Sequence, residues 1–342
     1  MKPNLSLTIA IPTYNGAAWI GDTLESIFNQ SFKAWKIIIA DDCSTDQTVK
    51  KIKDTFKKFK IPRSCFAIHS FPKNVGYGKN LQRIKKLVKS DLLFLMGQDD
   101  LLLPGSLAKT YQAFQNPNVG AVTRPFFWFW DDPQTPVRAV LPYDPKRDSL
   151  ISIQDSPRET EKIFESVGQL SGLAYRMKYF TADFHPHTFP AHIYPFARIT
   201  KHHPVVYLKD FTIAVRIRSS QTRFKKSIYR PSPTKTWVNM FQEVYSKPQY
   251  KMAKEAGIRQ ICTHFVGLVQ IKNYGTFSDL FSEIYQLATL YPKNLLNPRF
   301  YFFSLGTILI PSFLLRWLTD TYKDKILSRL LKKTHEKPQI QS

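Results

Sequence analysis

The segment LLFLMGQDD (92–100) sets five apolar residues almost directly against two adjacent aspartates, Asp99 and Asp100. A short apolar run closed by polar turn residues reads as a buried strand, and strands buried on both faces belong to parallel sheets covered by helices. Two earlier stretches repeat this arrangement. LTIAI (7–11) runs into Pro12-Thr13-Tyr14-Asn15, and KIIIA (36–40) runs into Asp41-Asp42. FAIHS (66–70) is a weaker strand, and residues 120–124 a short one. Between them, Ile20, Leu24, Ile27 and Phe28 recur at helical spacing over 17–30, and Leu81, Ile84, Leu87 and Val88 do so over 79–89. Ser44-Thr45-Asp46-Gln47 fits a capping box opening the helix after the second strand. Pro104 suits the first position of a helix running to about Phe114. Alternating strands and helices predict an α/β fold, with a mostly parallel central sheet and helices on both faces. Such sheets bind ligands at the carboxyl ends of their strands. The three polar clusters therefore face one crevice.

The chemistry of that crevice follows from its residue types. Adjacent carboxylates repel, and the cost grows in a partly buried site unless a cation or hydrogen-bond donors offset it. Hard cations such as Mg²⁺ and Mn²⁺ take oxygen ligands, and Mg²⁺ typically uses one or two carboxylates plus ligand phosphates. Asp99-Asp100 is thus either a metal–diphosphate site or a turn and helix cap before Pro104. Asp41-Asp42 either accepts hydrogen bonds from a base and a ribose or caps the following helix. Tyr14 offers a ring for stacking on a planar base, unless it is only a half-buried loop residue. Lys79, after Gly76 and Gly78, is either a phosphate contact or a solvated helix start.

Four motifs, IAIPTYNG (9–16), IIIADDCSTDQT (37–48), NVGYGKN (74–80) and LFLMGQDDLLLPGSL (93–107), resemble in order and spacing the nucleotide-binding half of family 2 glycosyltransferases. The resemblance covers roughly residues 5–125. It implies a GT-A fold, a Rossmann-like sheet followed here by a C-terminal helical extension. It also implies inverting transfer of a sugar from a nucleoside diphosphate donor, usually a UDP sugar, assisted by Mg²⁺ or Mn²⁺. Position by position, it implies that Pro12 and Tyr14 line the base pocket, that Asp42 hydrogen-bonds the base and that Asp41 lies near the ribose. Lys79 falls where many members carry an arginine, Asp99 and Asp100 fall at the DXD-type position, and Asp100 is the expected metal ligand. Gly97 stands where the longer motif often has another aspartate, which leaves fewer carboxylates for the metal. QLSGLAYRM (169–177) resembles the small-residue stretch beside the donor sugar. VVYLKDFTIAVRIRSSQTR (205–223) resembles a two-strand segment after the catalytic region.

AHIYPFAR (191–198) falls where many members have an acidic pair followed by a helix bearing an arginine, here Arg198. The acidic pair is replaced by Ala191-His192. Because an inverting transfer needs a base within hydrogen-bond reach of the acceptor hydroxyl, His192 is the first candidate and Asp183 the second; the alternative for His192 is a satisfied structural histidine. His185, His187, His202 and His203 lie nearby without thiolates or matching carboxylates, which argues against zinc. Arg216, Arg218, Arg223, Lys225, Lys226 and Arg230 form a run without acids, either a solvated face or a diphosphate contact. SPTKTWVNMFQEV (232–244) begins a helix. The expected organisation is a nucleotide-sugar half (1–125), an acceptor half (126–230), a C-terminal helical region (231–333) and a disordered tail (334–342).

With 342 residues, 43% of them hydrophobic, the chain is long and apolar enough to exclude wholesale disorder. Lys and Arg number 49 against 26 Asp and Glu, a net charge of +23. That balance favours anionic partners. No nucleic-acid motif accompanies it, so nucleic acid is not an expected partner. A nucleotidyltransferase would open on a glycine-rich loop, which residues 12–16 do not resemble. A sugar-nucleotide-binding protein without activity remains the alternative, favoured by the missing acidic pair. Three widely spaced cysteines form no disulfide framework, and Leu5–Ile11 is too short for a secretory signal. Both point to the cytoplasm. The uncharged run 300–315 falls short of the ~20 residues that span a bilayer, and Pro311 interrupts it. Leu318, Tyr322, Ile326 and Leu330 then recur at helical spacing among Lys323, Lys325, Arg329, Lys332 and Lys333. This pattern predicts peripheral contact with an anionic membrane on its cytoplasmic face, and with it a glycan or lipid-linked acceptor for surface polysaccharide synthesis. An ordinary helix packed on the core is the alternative.

Overall fold

A computed structural model of the chain describes residues 4–187, 189–219 and 226–322. Arg223, Lys225, the basic residues Lys323, Lys325, Arg329, Lys332 and Lys333 with Ile326 and Leu330, and the tail 334–342 lie outside the described residues. Two compact units emerge. One holds the chain up to Ser152 together with Lys162–Ile217; the other holds Ile153–Glu161 and the described chain from Arg218 onward.

The first unit is built on an eight-stranded sheet. Its strands are β1 (Leu7–Thr13), β2 (Trp35–Asp41), β3 (Phe66–Ser70), β4 (Leu92–Leu95), β6 (Ala121–Thr123), β9 (Ser149–Ile151), β10 (Ala174–Arg176) and β11 (Val205–Tyr207), in the order β3-β2-β1-β4-β10-β6-β11-β9. The pairs from β3 to β4 are parallel, and β10 enters antiparallel between β4 and β6. A four-stranded sheet joins β5 (Leu101–Leu102), β7 (Phe126–Phe129), β8 (Arg138–Val140) and β12 (Ile213–Arg216) in the order β5-β12-β7-β8. The two strands expected in 205–223 therefore form, but in different sheets. The helices along this part of the chain are α1 (Ile20–Phe28), α2 (Thr48–Lys58), α3 (Tyr77–Leu87), α4 (Ser106–Ala113), α5 (Pro157–Glu165) and α6 (Ile193–Thr200).

The apolar runs make the core, as their composition requires. Ile9, Ile11, Ile37, Ile39, Leu92 and Phe94 pack with Leu24, Ile27 and Phe28 of α1 and Ile52 and Phe56 of α2. One local expectation fails. The capping box at 44–47 does not form, and α2 starts only at Thr48. The Ser44 hydroxyl is drawn to Asp41 instead, while Asp46 Oδ1 accepts the Thr48 N–H at 2.9 Å.

The second unit is helical: α7 (Pro233–Val244), α8 (Lys251–Cys262), α9 (Val266–Tyr274), α10 (Phe277–Leu290), α11 (Pro298–Leu309) and α12 (Ser312–Tyr322). Ser232 caps α7, its Oγ accepting the Lys235 N–H at 3.1 Å. A capping box of Thr276 and Asp279 opens α10, and Arg230 pairs with Asp279 at 2.7 Å. Pro311 separates α11 from α12, as its ring demands. Val238, Cys262, Leu268, Ile271, Leu280, Leu287 and Phe300 form the core of this unit.

Candidate active site

Register sets the site. Thr13 at the end of β1 lies opposite Asp41 at the end of β2, and β4 runs parallel on the other side of β1. The three polar loops therefore leave the sheet at one edge. Hydrogen bonds then tie them together. The Asp42 N–H donates to Thr13 O at 2.8 Å. Gln98 clasps Tyr14 on both sides: its Oε1 accepts the Tyr14 N–H at 2.9 Å, and its Nε2 donates to Tyr14 O at 3.0 Å. Asn15 N donates to Ser44 Oγ at 2.9 Å, and Thr45 N to Asn15 Oδ1 at 2.8 Å. The segments ending at Tyr14, Asp42 and Asp100 thus converge as the sequence pattern requires.

The four carboxylates differ in what surrounds them. Asp41 is buried and receives Ser44. Asp42, also buried, accepts from the backbone N–H of Val75 (3.0 Å) and Gly76 (2.8 Å) and from Arg83 Nη1 (2.9 Å). Its oxygens thus tie the 73–76 loop to the end of β2. Arg83, stacked over Phe71 at 3.9 Å, escaped the sequence reading, although it lies one turn beyond Lys79 on α3. Lys79 itself is exposed.

Asp100 is 1% exposed. Its Oδ2 accepts from Gln169 Nε2 (2.7 Å) and from the Ser171 hydroxyl, and its Oδ1 from the Arg216 N–H (3.0 Å). Burial, reinforced by Asp99, pushes its carboxyl up to about 7. Asp100 is thus an inward carboxylate already met by three protein donors, and Asp99 next to it is half-buried. Gly97 explains the missing third carboxylate. A Cβ there would sit 3.0 Å from Asp100 Oδ2 and Ser171 Oγ and 3.1 Å from Asp99 Oδ1. Among the described residues no group of three or more His, Cys, Asp or Glu assembles as a metal cage. The donor set present is oxygen, which suits a hard cation completed by ligand phosphates and water.

Gln169, Ser171 and Arg216 hold this loop, a role their sequence positions did not disclose. Arg216 is buried. It donates from Nε to Asp99 O (3.2 Å) and from Nη2 to Asp22 Oδ2 (3.1 Å), and its guanidinium lies over Trp19 and Phe129 at 4.6 and 4.9 Å. Thr23 Oγ1 lies 2.9 Å from both Gln98 O and Asp100 O.

The acceptor side departs furthest from expectation. His192 is 2% exposed. Its Nε2 faces Val167 O at 2.8 Å. A carbonyl only accepts, so Nε2 carries the proton and Nδ1 is the acceptor for the Tyr77 hydroxyl at 3.0 Å. Burial pushes its pKa down to about 4. Both ring nitrogens are therefore engaged inside the protein. Asp183 pairs with Lys85 at 2.7 Å, with its side chain 59% exposed. His203 stacks on Tyr179 and His185 packs against Tyr194.

Residues 8–172 match the sequence model described as Glycosyl transferase family 2. Those residues belong to that family. An uncharacterized glycosyltransferase of Haemophilus influenzae is 29% identical over 120 residues, covering 35% of this chain and 38% of the relative. The dTDP-rhamnosyl transferase RfbG of Shigella flexneri is 37% identical over 92 residues, covering 26% of this chain and 31% of the relative. The match spans less than two fifths of the curated relatives' length. Among solved structures, residues 1–349 of TarS from S. aureus in complex with UDP-GlcNAc superpose with a TM-score of 0.65 at 12% identity, covering 97% of this chain and 93% of that one. The mannosyltransferase PcManGT of Pyrobaculum calidifontis, in complex with GDP-Man and Mn²⁺, gives a TM-score of 0.55 at 14% identity, covering 90% and 87%. These likenesses establish the GT-A fold, with helices at the C-terminal end, around the family 2 motifs.

Proposed function

We propose that the protein is an inverting glycosyltransferase. It moves a sugar from a nucleoside diphosphate donor, a UDP sugar, to a hydroxyl of a glycan or lipid-linked acceptor in surface polysaccharide synthesis, working peripherally at the cytoplasmic face of a membrane. The observation that carries this reading is the convergence of the Tyr14, Asp42 and Asp99-Asp100 loops at one end of parallel strands, clasped by Gln98. Relatives named for glycosyl transfer support it, among them the poly(ribitol-phosphate) beta-N-acetylglucosaminyltransferase TarS, 26% identical over 100 residues.

In this reading the 14–16 and 41–44 loops receive base and ribose, and Asp99 holds the divalent cation beside the diphosphate. The cation, when bound, supplies positive charge for the departing diphosphate. Gln169, Ser171 and Arg216 hold Asp100, and Arg216 also donates to the Asp99 carbonyl, so the loop is fixed before the donor arrives and little reorganisation is needed during transfer. The test is metal-dependent release of UDP from a panel of UDP sugars. Release that vanishes with EDTA and returns with Mg²⁺ or Mn²⁺ supports the enzyme. One observation favours a second reading, an inactive sugar-nucleotide-binding protein: the sealed His192 leaves the acceptor side without its expected base. Tight UDP binding with no release from any donor selects that reading.

Gln98 gives a second expected result. Gln98→Ala removes both bonds to Tyr14 and frees the loop that receives the base. Two neutral hydrogen bonds contribute about 0.5–1.5 kcal/mol each, so UDP affinity should fall roughly tenfold, read by calorimetry. An unchanged affinity would separate Tyr14 from the nucleotide.

A further inference from the structure

The last two helices of the second unit turn much of their apolar surface outward. In α11, Ser304 and Thr307 are 5% and 2% exposed, while Phe302, Leu305 and Leu309 are 73%, 53% and 75% exposed. Those three outward residues lie at i, i+3 and i+7 and make one stripe. Thr307 is satisfied by its own helix, donating to Phe303 O at 2.7 Å. In α12 only Leu315 is buried, and Phe313 and Trp317, one turn apart, are 75% and 62% exposed. A helix lining a water-exposed surface does the opposite.

This face is held in shape. Three side chains fasten the turn between α11 and α12 to the end of α9: Lys272 Nζ donates to Ile308 O (3.4 Å), Ser312 Oγ to Lys272 O (3.3 Å) and Arg316 Nη2 to Asn273 O (3.2 Å). The apolar elbow at Leu309–Phe313 is therefore a fixed feature of the unit. The charge around it is predominantly positive. Residues 284–322 hold Lys293, Arg299 and Arg316 against the single acid Asp320, and residues 323–333 add five bases and one acid in the sequence. Tyr301 and Trp317 are exposed beside the apolar stripe, and amphipathic aromatic rings of this kind settle at the headgroup level of bilayers.

We propose that the outward face of α11 and α12 is a docking surface for an anionic phospholipid bilayer, with Phe302, Leu305, Leu309, Phe313 and Trp317 entering the acyl boundary and Lys293 and Arg299 meeting the headgroups. The helices lie in the plane of the interface. Twelve residues of α11 extend about 18 Å against a hydrocarbon core of about 30 Å, and no described helix is long and apolar enough to cross a membrane. The inference deepens the membrane part of the proposed function and rests on that part alone, because binding to lipid requires no transfer chemistry.

The test is co-sedimentation of the full chain with vesicles of phosphatidylglycerol and phosphatidylcholine, compared with phosphatidylcholine alone. The wild type should partition onto the anionic vesicles and lose that partitioning as salt rises. Leu309→Glu with Phe313→Glu should lower partitioning at least tenfold without shifting the melting temperature, since both side chains already face outward. Lys293→Gln with Arg299→Gln should weaken binding to anionic vesicles only. UDP release without lipid, measured in the same preparations, reads the donor site separately: its failure overturns the catalytic reading and leaves the vesicle result standing. Absence of wild-type binding to anionic vesicles, or equal binding by wild type and the Leu309/Phe313 variant, overturns the docking surface. So does a wild-type dimer that the same variant dissociates with no effect on vesicles, because the face then meets a second copy of the chain.

Discussion

Asp99→Ala should cut metal-dependent UDP release by about 10²–10³-fold, the scale on which one charge-stabilising group in an active site is felt. Asp100→Ala should behave differently. It strips three buried donors, Ser171, Gln169 and the Arg216 N–H, of their acceptor. An unsatisfied buried donor costs about 1–3 kcal/mol. Part of that is recovered because Asp100 no longer suffers its own burial, so a net loss of about 2–3 kcal/mol is expected. At about 2–4 °C per kcal/mol for a unit of this size, melting should fall by roughly 4–12 °C. Kinetics and calorimetry on the two variants separate ligand from scaffold. Activity retained in Asp99→Ala but lost in a normally melting Asp100→Ala would return the metal to Asp100.

The second large effect concerns His192. His192→Ala should destabilise the protein by about 2–4 kcal/mol, because it opens a cavity and orphans both Val167 O and the Tyr77 hydroxyl, yet leave turnover per folded molecule close to wild type. The pH dependence gives an independent readout. The folded pKa lies near 4, below the ordinary 6.5, so folding favours the neutral ring. That contribution is fully present above pH 6.5. It is lost as pH falls from 6.5 to about 4, because the unfolded chain binds the proton first. The lost stability amounts to about 3 kcal/mol for a shift of this size. Denaturant titrations across that window should show the loss in the wild type and a flatter profile in His192→Ala. A His192→Ala protein that folds and binds UDP normally but has lost turnover would reinstate the ring as the base.

The sheet was legible because its signals are local. Runs such as KIIIA and LLFLM can only be buried, and the polar residues after them mark the edge where ligands bind. The duties of individual side chains were less legible, because they depend on neighbours far along the chain. Nothing in DDCSTDQT shows that the Asp42 oxygens are spent on Val75, Gly76 and Arg83, or that Ser44 prefers Asp41 to the helix it precedes. The chemistry of histidine made His192 a candidate base; its enclosure by Val167 and Tyr77 appears only when α3 and α6 are folded. Arg83 had a usable signal, a second cation one turn from Lys79 on the same helix face. Gln98 and Ser171 had none, since their partners lie 84 and 74 residues away.

The Gln98 amide holds Tyr14 as a neighbouring strand would, donating and accepting across one residue, and a Cβ on Gly16 would collide with that amide at 2.3 Å. Two segments remote in sequence are thereby constrained to evolve as a pair. In descendants of this chain, a shorter side chain at position 98 should be accompanied by a compensating change at 14–16, and transplanting either segment alone into another scaffold should yield a nucleotide pocket that folds but does not hold its shape.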